Sequence, residues 1–286
     1  MGGNKDHHEL DYGPLTELIG TWVGLGFTLT SLPAYDSRPP SDGPKDFRLL
    51  LSVTEEELKF IPMEDLIPNR GALAGIDIRD AGQKDINMTG LNYFQKIIHR
   101  ESKGGLHLEN GTWLNVPCTD YPKQGPTVVR MGTIPHGDAF LAQSTYIGEI
   151  YGKPTIESIS SLPTGPGTDK LGYSDVYLFP EVPATITAEM VLNPNLFLLR
   201  DIADQLIVKT TEIKVTTSDN NGGIANMPFV VVNANATRLD AIYWIETVIG
   251  ADGQTFLQLQ YTQTVILNFL GIDWPHISVA TMRRQS

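Results

Sequence analysis

The chain has few of the features that mark disulfide-rich, zinc-binding or membrane-spanning proteins. Only one of its 286 residues is a cysteine, Cys118, which excludes an intrachain disulfide and a cysteine-based zinc site. A single thiol suits a reducing compartment, so we expect a cytoplasmic protein. The longest apolar runs, such as Phe229–Val232 and Val265–Leu267, are far shorter than the roughly 18 residues that a spanning helix needs.

Basic residues are also in the minority. The chain has 21 Lys and Arg against 33 Asp and Glu, which gives a formal charge of −12. A phosphate backbone is repelled by such a field, and no local basic groove offsets it. We therefore expect a small-molecule ligand as the partner, with neither nucleic acid nor a membrane. The sequence leaves open whether the chain forms a homodimer.

Long stretches of helical periodicity are scarce, whereas 27 Gly and 19 Pro are scattered along the chain. This pattern predicts many strands joined by turns, and hence a mainly β fold. Turn chemistry predicts four strand pairs, which are Leu91–Glu101 with Leu106–Val116, Thr127–Met131 with Ala139–Tyr146, Ile207–Thr217 with Phe229–Ala234, and Ile242–Ile249 with Phe256–Asn268.

An antiparallel meander removes its exposed edges by closing into a barrel. We expect a single closed antiparallel β-barrel of about 8 to 10 strands over residues 14–286, with long loops near 31–48, 62–90, 117–126 and 150–192 and a flexible arm, rather than a signal peptide, over residues 1–13. One or two short helices are predicted, at Pro14–Ile19 and at Pro194–Leu206, the latter with Asn193 as its N-cap.

The last predicted strand carries the most informative histidine. Alternation places His276, Ser278, Ala280 and Met282 on one face and Ile277, Val279 and Thr281 on the other. If the aliphatic face is the inner one, His276 is an ordinary surface residue. If the other face is inner, an imidazole stands beside two small side chains, which leaves a slot for a flat macrocycle.

Four motifs, in the same order along the chain, resemble the nitrobindin-like haem-binding β-barrels, whose shape is related to that of lipocalins and fatty-acid-binding proteins. They are Leu18-Ile19-Gly20-Thr21-Trp22-Val23-Gly24-Leu25-Gly26, Leu106-His107-Leu108-Glu109-Asn110-Gly111-Thr112-Trp113, Ala142-Gln143-Ser144-Thr145, and the strand Pro275–Arg284.

The resemblance implies a ten-stranded barrel that holds haem b. It implies His276 as the iron ligand, His107 and Gln143 as catalytic residues, and cofactor contacts from residues on both sides of the haem, namely Leu106, Gln143, Ser278 and Ala280. The implied activities are nitric oxide binding, peroxynitrite isomerisation or peroxidase-like chemistry. Typical members are little more than half as long as this chain. The segments near 31–90 and 150–206 are therefore insertions relative to the family. They could cover the open edge of the haem, and the helix near 193–206 is the candidate.

Several points stay open from sequence alone. Leu106 and His107 are neighbours, so both can line a pocket only if a bulge or strong twist occurs at Gly104-Gly105. We expect His136 at a hairpin tip, His99 facing solvent, Cys118 as a bystander and Glu55-Glu56-Glu57 as a solvated face. The alternative function is a haem-free carrier, or an enzyme, for a small hydrophobic molecule in the barrel cavity.

Overall fold

The computed structural model describes residues 10–34, 47–72, 82–169, 172–218 and 222–285. A 3₁₀ helix spans Gly13–Leu18. The strands are β1 (Gly20–Pro33), β2 (Phe47–Pro62), β3 (Ile67–Asn69), β4 (Ile86–His99), β5 (Gly105–Val116), β6 (Thr119–Asp120), β7 (Lys123–Gln124), β8 (Thr127–Ile134), β9 (Asp138–Ile150), β10 (Leu206–Thr216), β11 (Gly223–Asn226), β12 (Asn235–Ile249), β13 (Thr255–Phe269) and β14 (Ile272–Arg284). The α-helices are α1 (Asp175–Leu178), α2 (Ala188–Leu192), α3 (Asn195–Asp201) and α4 (Pro228–Asn233).

Ten of the strands close into an antiparallel barrel, as the sequence predicts. The order around the ring is β1, β2, β4, β5, β8, β9, β10, β12, β13 and β14, and β14 pairs with β1 again. The pairing of β9 with β10 joins the two halves of the chain and leaves no open edge in the ring. Strand β11 adds to β9 and β3 adds to β4 outside the ring.

Three of the four predicted strand pairs are confirmed. Strand β4 pairs with β5, β8 with β9, and β12 with β13. The fourth pair is wrong, because residues 228–233 form helix α4 and β10 pairs instead with β12 and β9. Valines 230–232 favour a strand, but Pro228 in the first turn of α4 starts a helix. The turn predicted between the two segments lies partly outside the described residues.

One end of the barrel is filled by a core that faces inward. Trp22, Trp113 and Tyr243 lie in this core, and the 3₁₀ helix closes the end with the buried side chains of Leu15 and Leu18. The indole nitrogen of Trp22 donates to the backbone carbonyl of Leu18 at 2.7 Å, which ties the helix to the barrel. The barrel interior is therefore closed by packed side chains at this end.

The outer surface of one side of the barrel is covered by residues 151–169 and 172–205, here called the outer cover. Phe197 of α3 stacks on Phe27 of β1 with ring centroids 6.5 Å apart, and Leu198 joins the same apolar cluster with Ile277 and Val279 of β14. The helix predicted at Pro194–Leu206 therefore exists in shorter form, as α3, which ends at Asp201. It packs against the barrel wall, where its apolar face is buried.

Two observations concern the predicted N-terminal arm and the predicted 31–90 insertion. Residues 1–9 of the predicted arm lie outside the described residues. Strand β2, which belongs to the barrel, runs through the predicted 31–90 insertion. None of the helices in the described ranges is long and apolar enough to cross a membrane.

Candidate functional site

A cavity of about 430 Å³ lies at the barrel end remote from the 3₁₀ helix. This volume is within the range of sites that hold small molecules and cofactors. Its walls are mostly apolar, with polar side chains gathered at particular places. The polar lining comprises Thr28, Thr30, Ser52, Gln95, His107, His136, Asp138, Asn233, Tyr261, Gln263, His276 and Ser278.

His276 stands on the wall of this cavity. The inner face of β14 is the one that carries His276 and Ser278, whereas Ile277 and Val279 face the outer cover. The Nε2 atom of His276 lies 2.9 Å from Thr30 Oγ1 on the neighbouring strand. Burial lowers the pKa of His276 to about 3, with smaller contributions in the same direction from the charges of the nearby His107 and His136. The imidazole is therefore neutral at physiological pH.

Leu106 and His107 both line the cavity because β5 contains a bulge. Ile97 of β4 pairs with His107, but Ile98 pairs with Gly105, so Leu106 is the extra residue. A bulge re-aims the side chains beside it. The sequence predicts this irregularity at Gly104-Gly105, and the structure has it one residue further along, at Leu106.

The β8–β9 hairpin adds two more ionisable groups to the cavity. His136 is at the hairpin tip, as expected, and its ring centroid lies 5.9 Å from that of His107. Asp138 follows at the start of β9, and its Oδ1 atom is buried without a hydrogen-bond partner among the described residues. Burial raises the pKa of the Asp138 carboxyl, while the two histidines oppose this effect.

These groups face His276 across the cavity. In the ring of ten strands, β5 is four places from β14 and β8 is five places, which is directly opposite. His107 and His136 are close enough to lower the pKa of His276 by charge repulsion. The cavity therefore has one neutral imidazole on one wall and two imidazoles with a carboxyl group on the other.

Two buried carboxyl groups lie beneath the residues that line the bottom of the cavity. Glu109 pairs with Arg130, and Tyr93 donates to the same carboxylate oxygen. Glu56 accepts from Tyr261 at 2.5 Å. Its side chain is only 3% exposed, which corrects the expectation that Glu55-Glu56-Glu57 form a solvated face. The triplet lies in β2, where alternation turns the middle residue inward.

Helix α4 lies at the mouth of the cavity. Phe229, Val230 and Asn233 line the opening, and Phe229 is 70% exposed. The sequence predicts the helix near 193–206 for this position, but that helix packs on the outside of the barrel and contributes nothing to the cavity lining. The element at the mouth is therefore the segment that the sequence predicted as a strand.

Two predicted cofactor contacts are not among the residues that line the cavity. Gln143 lies on β9 beside Ala142, which packs in the inner core, so alternation turns Gln143 outward. Ala280 has the predicted inward orientation, but it lies deeper in the barrel among the packed core residues. His99 ends β4 outside the cavity and its Nδ1 accepts from the backbone of Ser102. Cys118 is exposed.

Sequence reasoning did not identify several polar residues at the site. The missed residues are Glu56, Gln95, Arg130, Asp138, Tyr261 and Gln263. The available signal was charge at inward positions of predicted strands, since an acidic or basic residue among alternating apolar ones requires a buried partner. Which carboxyl group pairs with which cation becomes visible only when distant strands close the ring.

No family model and no curated protein matches the chain. Among solved structures, it is similar to the crystal structure of Rv2717c from M. tuberculosis. The alignment has 15% sequence identity, covers 96% of this chain and all of the other, and has a TM-score of 0.45. A match this distant carries no argument about function.

Proposed function

We propose that the cavity binds haem b with His276 as the axial ligand of the iron. The observation that carries the proposal is the state of this imidazole. It is neutral, one of its nitrogens is held by Thr30, and the other has no hydrogen-bond partner among the described residues. Metal-bound histidines have this arrangement, because a partner on one nitrogen fixes the tautomer and leaves the other free for the metal.

The residues around His276 suit a flat, largely apolar group. Ser278 and Thr28 are small, and their hydroxyls lie 3.3 Å from each other beside the imidazole. Val265, Leu267 and Met227 supply apolar lining. Among the described residues no three His, Cys, Asp or Glu side chains are arranged to hold a bare metal ion. A haem needs one protein ligand, and bound haem would supply an iron centre for gas binding and redox chemistry.

The wall opposite His276 would form hydrogen bonds with a small ligand and exchange protons with it. His107 and His136 can donate or accept hydrogen bonds, and Asp138 adds a carboxyl group whose pKa is raised by burial. These groups suit peroxides or nitrogen oxides, in line with the activities that the nitrobindin-like resemblance implies. An apolar facing wall would have suited gas binding alone.

Hemin titration of the purified protein tests the proposal. We expect one hemin per chain, and we expect His276→Ala to weaken binding by at least about 10-fold, since even the loss of a ligand's hydrogen-bond partner costs that much. His99→Ala removes a histidine outside the cavity and is the matched control. Equal hemin affinity in wild type and His276→Ala would refute the proposed ligand.

A haem-free carrier for a small hydrophobic molecule is the second candidate. It is favoured by the apolar side chains at the mouth, where Phe229 is largely exposed and Val230 lines the opening. The fluorescent dye anilinonaphthalene sulfonate reports apolar sites. Tight dye binding that hemin does not displace, together with no hemin uptake, would favour the carrier over the haem protein.

A further inference from the structure

The Glu109–Arg130 ion pair beneath the cavity is fully buried. Arg130 Nη2 donates to Glu109 Oε1, and neither residue is exposed. Four aromatic rings surround the guanidinium group at 5.1–5.6 Å, those of Tyr93, Trp113, Phe140 and Tyr243. Burying two charges costs several kcal/mol in desolvation, so such a pair adds little net stability compared with apolar residues. Its position next to the cavity points to a role other than stability.

Arg130, one member of the ion pair, fixes the orientation of the Gln263 side-chain amide. Arg130 Nη1 lies 2.7 Å from Gln263 Oε1. A guanidinium group can only donate hydrogen bonds, so the amide oxygen must be the atom that faces it. The NH₂ group of Gln263 is thereby turned away from Arg130, and no described residue accepts a hydrogen bond from it. Because Gln263 lines the cavity, this NH₂ is a donor available to a ligand.

Glu109, the other member of the ion pair, fixes the tautomer of His107. Burial alone would raise the pKa of Glu109, but Arg130 and the hydrogen bonds from His107 and Tyr93 lower it to about 2. The carboxylate is therefore ionised and can only accept. His107 Nε2, at 3.3 Å from Glu109 Oε2, must carry the proton. In neutral His107 this leaves Nδ1 as an acceptor, and no described residue donates to it.

We propose that Glu109 and Arg130 are positioning residues that hold a hydrogen-bond donor, Gln263 NH₂, and an acceptor, His107 Nδ1, ready for a hydroperoxide. The O–H of the hydroperoxide donates to Nδ1, and its neighbouring oxygen accepts from the amide. Nitric oxide has no hydrogen to donate, so it uses only the amide. The choice of hydroperoxide rests on the proposed haem function.

The variant Gln263→Glu tests the donor. It keeps the size of the side chain and an oxygen toward Arg130, but it replaces the cavity-facing NH₂ with a second acceptor. We expect the second-order rate constant for the reaction of hydrogen peroxide with the hemin-loaded protein to fall about 100-fold. A fall of this size is typical when one aligned hydrogen-bond donor is removed. Gln254→Glu adds the same charge at an exposed turn and should change the rate less than about two-fold. An unchanged rate in Gln263→Glu would overturn the proposal.

A second readout does not require haem. Nitrogen-15 NMR of the hemin-free protein reports which ring nitrogen of His107 carries the proton, with the signal assigned by its loss in His107→Gln. We expect the Nε2–H tautomer, and Glu109→Gln should reduce its population. An Nδ1–H tautomer in the wild type would contradict the positioning role even if hemin binds. A failure to bind hemin would instead refute the proposed function and leave this result standing.

Discussion

Arg130→Met is expected to lower the free energy of unfolding by about 3–5 kcal/mol. The substitution keeps an unbranched side chain of similar length but leaves the Glu109 carboxylate buried without its cation. Gln263 and the surrounding aromatic rings also lose their contact with the guanidinium group. Urea denaturation at pH 7, with the midpoint and slope compared with those of the wild type, measures this loss.

The double variant Arg130→Met with Glu109→Leu is the matched control. Replacing both members of a buried pair with apolar residues is often close to neutral in stability, so we expect it to recover most of the loss. The double variant also keeps the measurement informative if the single variant does not fold. A single variant as stable as the wild type would contradict the buried, ionised state of Glu109 on which the positioning role depends.

Glu246→Gln is expected to stabilise the protein above pH 7. Glu246 lies between the barrel wall and the outer cover and is fully buried. Its Oε2 accepts from Gln258 at 2.6 Å, while Oε1 has no partner among the described residues. Burial raises the pKa of Glu246 to about 7, and the hydrogen bond from Gln258 and the charge of Lys153 oppose it only in part.

The sign of the pH dependence follows from this raised pKa. In an unfolded chain a glutamate has a pKa near 4.3, so between about pH 4 and pH 7 the folded state binds more protons than the unfolded state. Stability therefore decreases as pH rises through this window, by up to about 3 kcal/mol for this one group. A glutamine accepts the same hydrogen bond from Gln258 without ionising, so the variant escapes this loss.

Thermal unfolding at pH 4 and at pH 8 tests the expectation. Glu246→Gln should melt several degrees above the wild type at pH 8, since about 3 kcal/mol corresponds to a shift of that size in a chain of this length, and close to it at pH 4. Glu57→Gln removes a carboxyl group from an exposed position and should show no such difference between the two pH values. An equal effect of Glu246→Gln at both pH values would contradict the raised pKa.

The barrel and much of its pairing could be predicted because turn residues and alternating strands are local features of the sequence. Gly104-Gly105 both marks the β4–β5 turn and precedes the bulge that brings Leu106 and His107 into one cavity. Alternation also groups His276 with Ser278. Alternation does not show which face of β14 points into the barrel, because both faces are buried. One face lies inside the barrel and the other lies under the outer cover.

The composition of the cavity could not be predicted for a different reason. The wall that faces His276 comes from β5 and β8, which are distant from β14 in sequence and meet it only when the ring closes. The same holds for Arg130 and Gln263, on β8 and β13. The sequence predicts a strand at 229–234 because valine-rich runs favour strands, whereas Pro228 in the first turn starts helix α4.

The most direct test of the central claim is whether added imidazole can replace the side chain of residue 276. The visible spectrum of hemin-loaded His276→Gly should differ from that of the wild type, because the variant lacks the proposed axial nitrogen. Imidazole added to this variant should restore the wild-type spectrum by occupying the vacated space. A His276→Gly complex whose spectrum matches the wild type without imidazole would contradict the assignment of His276 as the haem ligand.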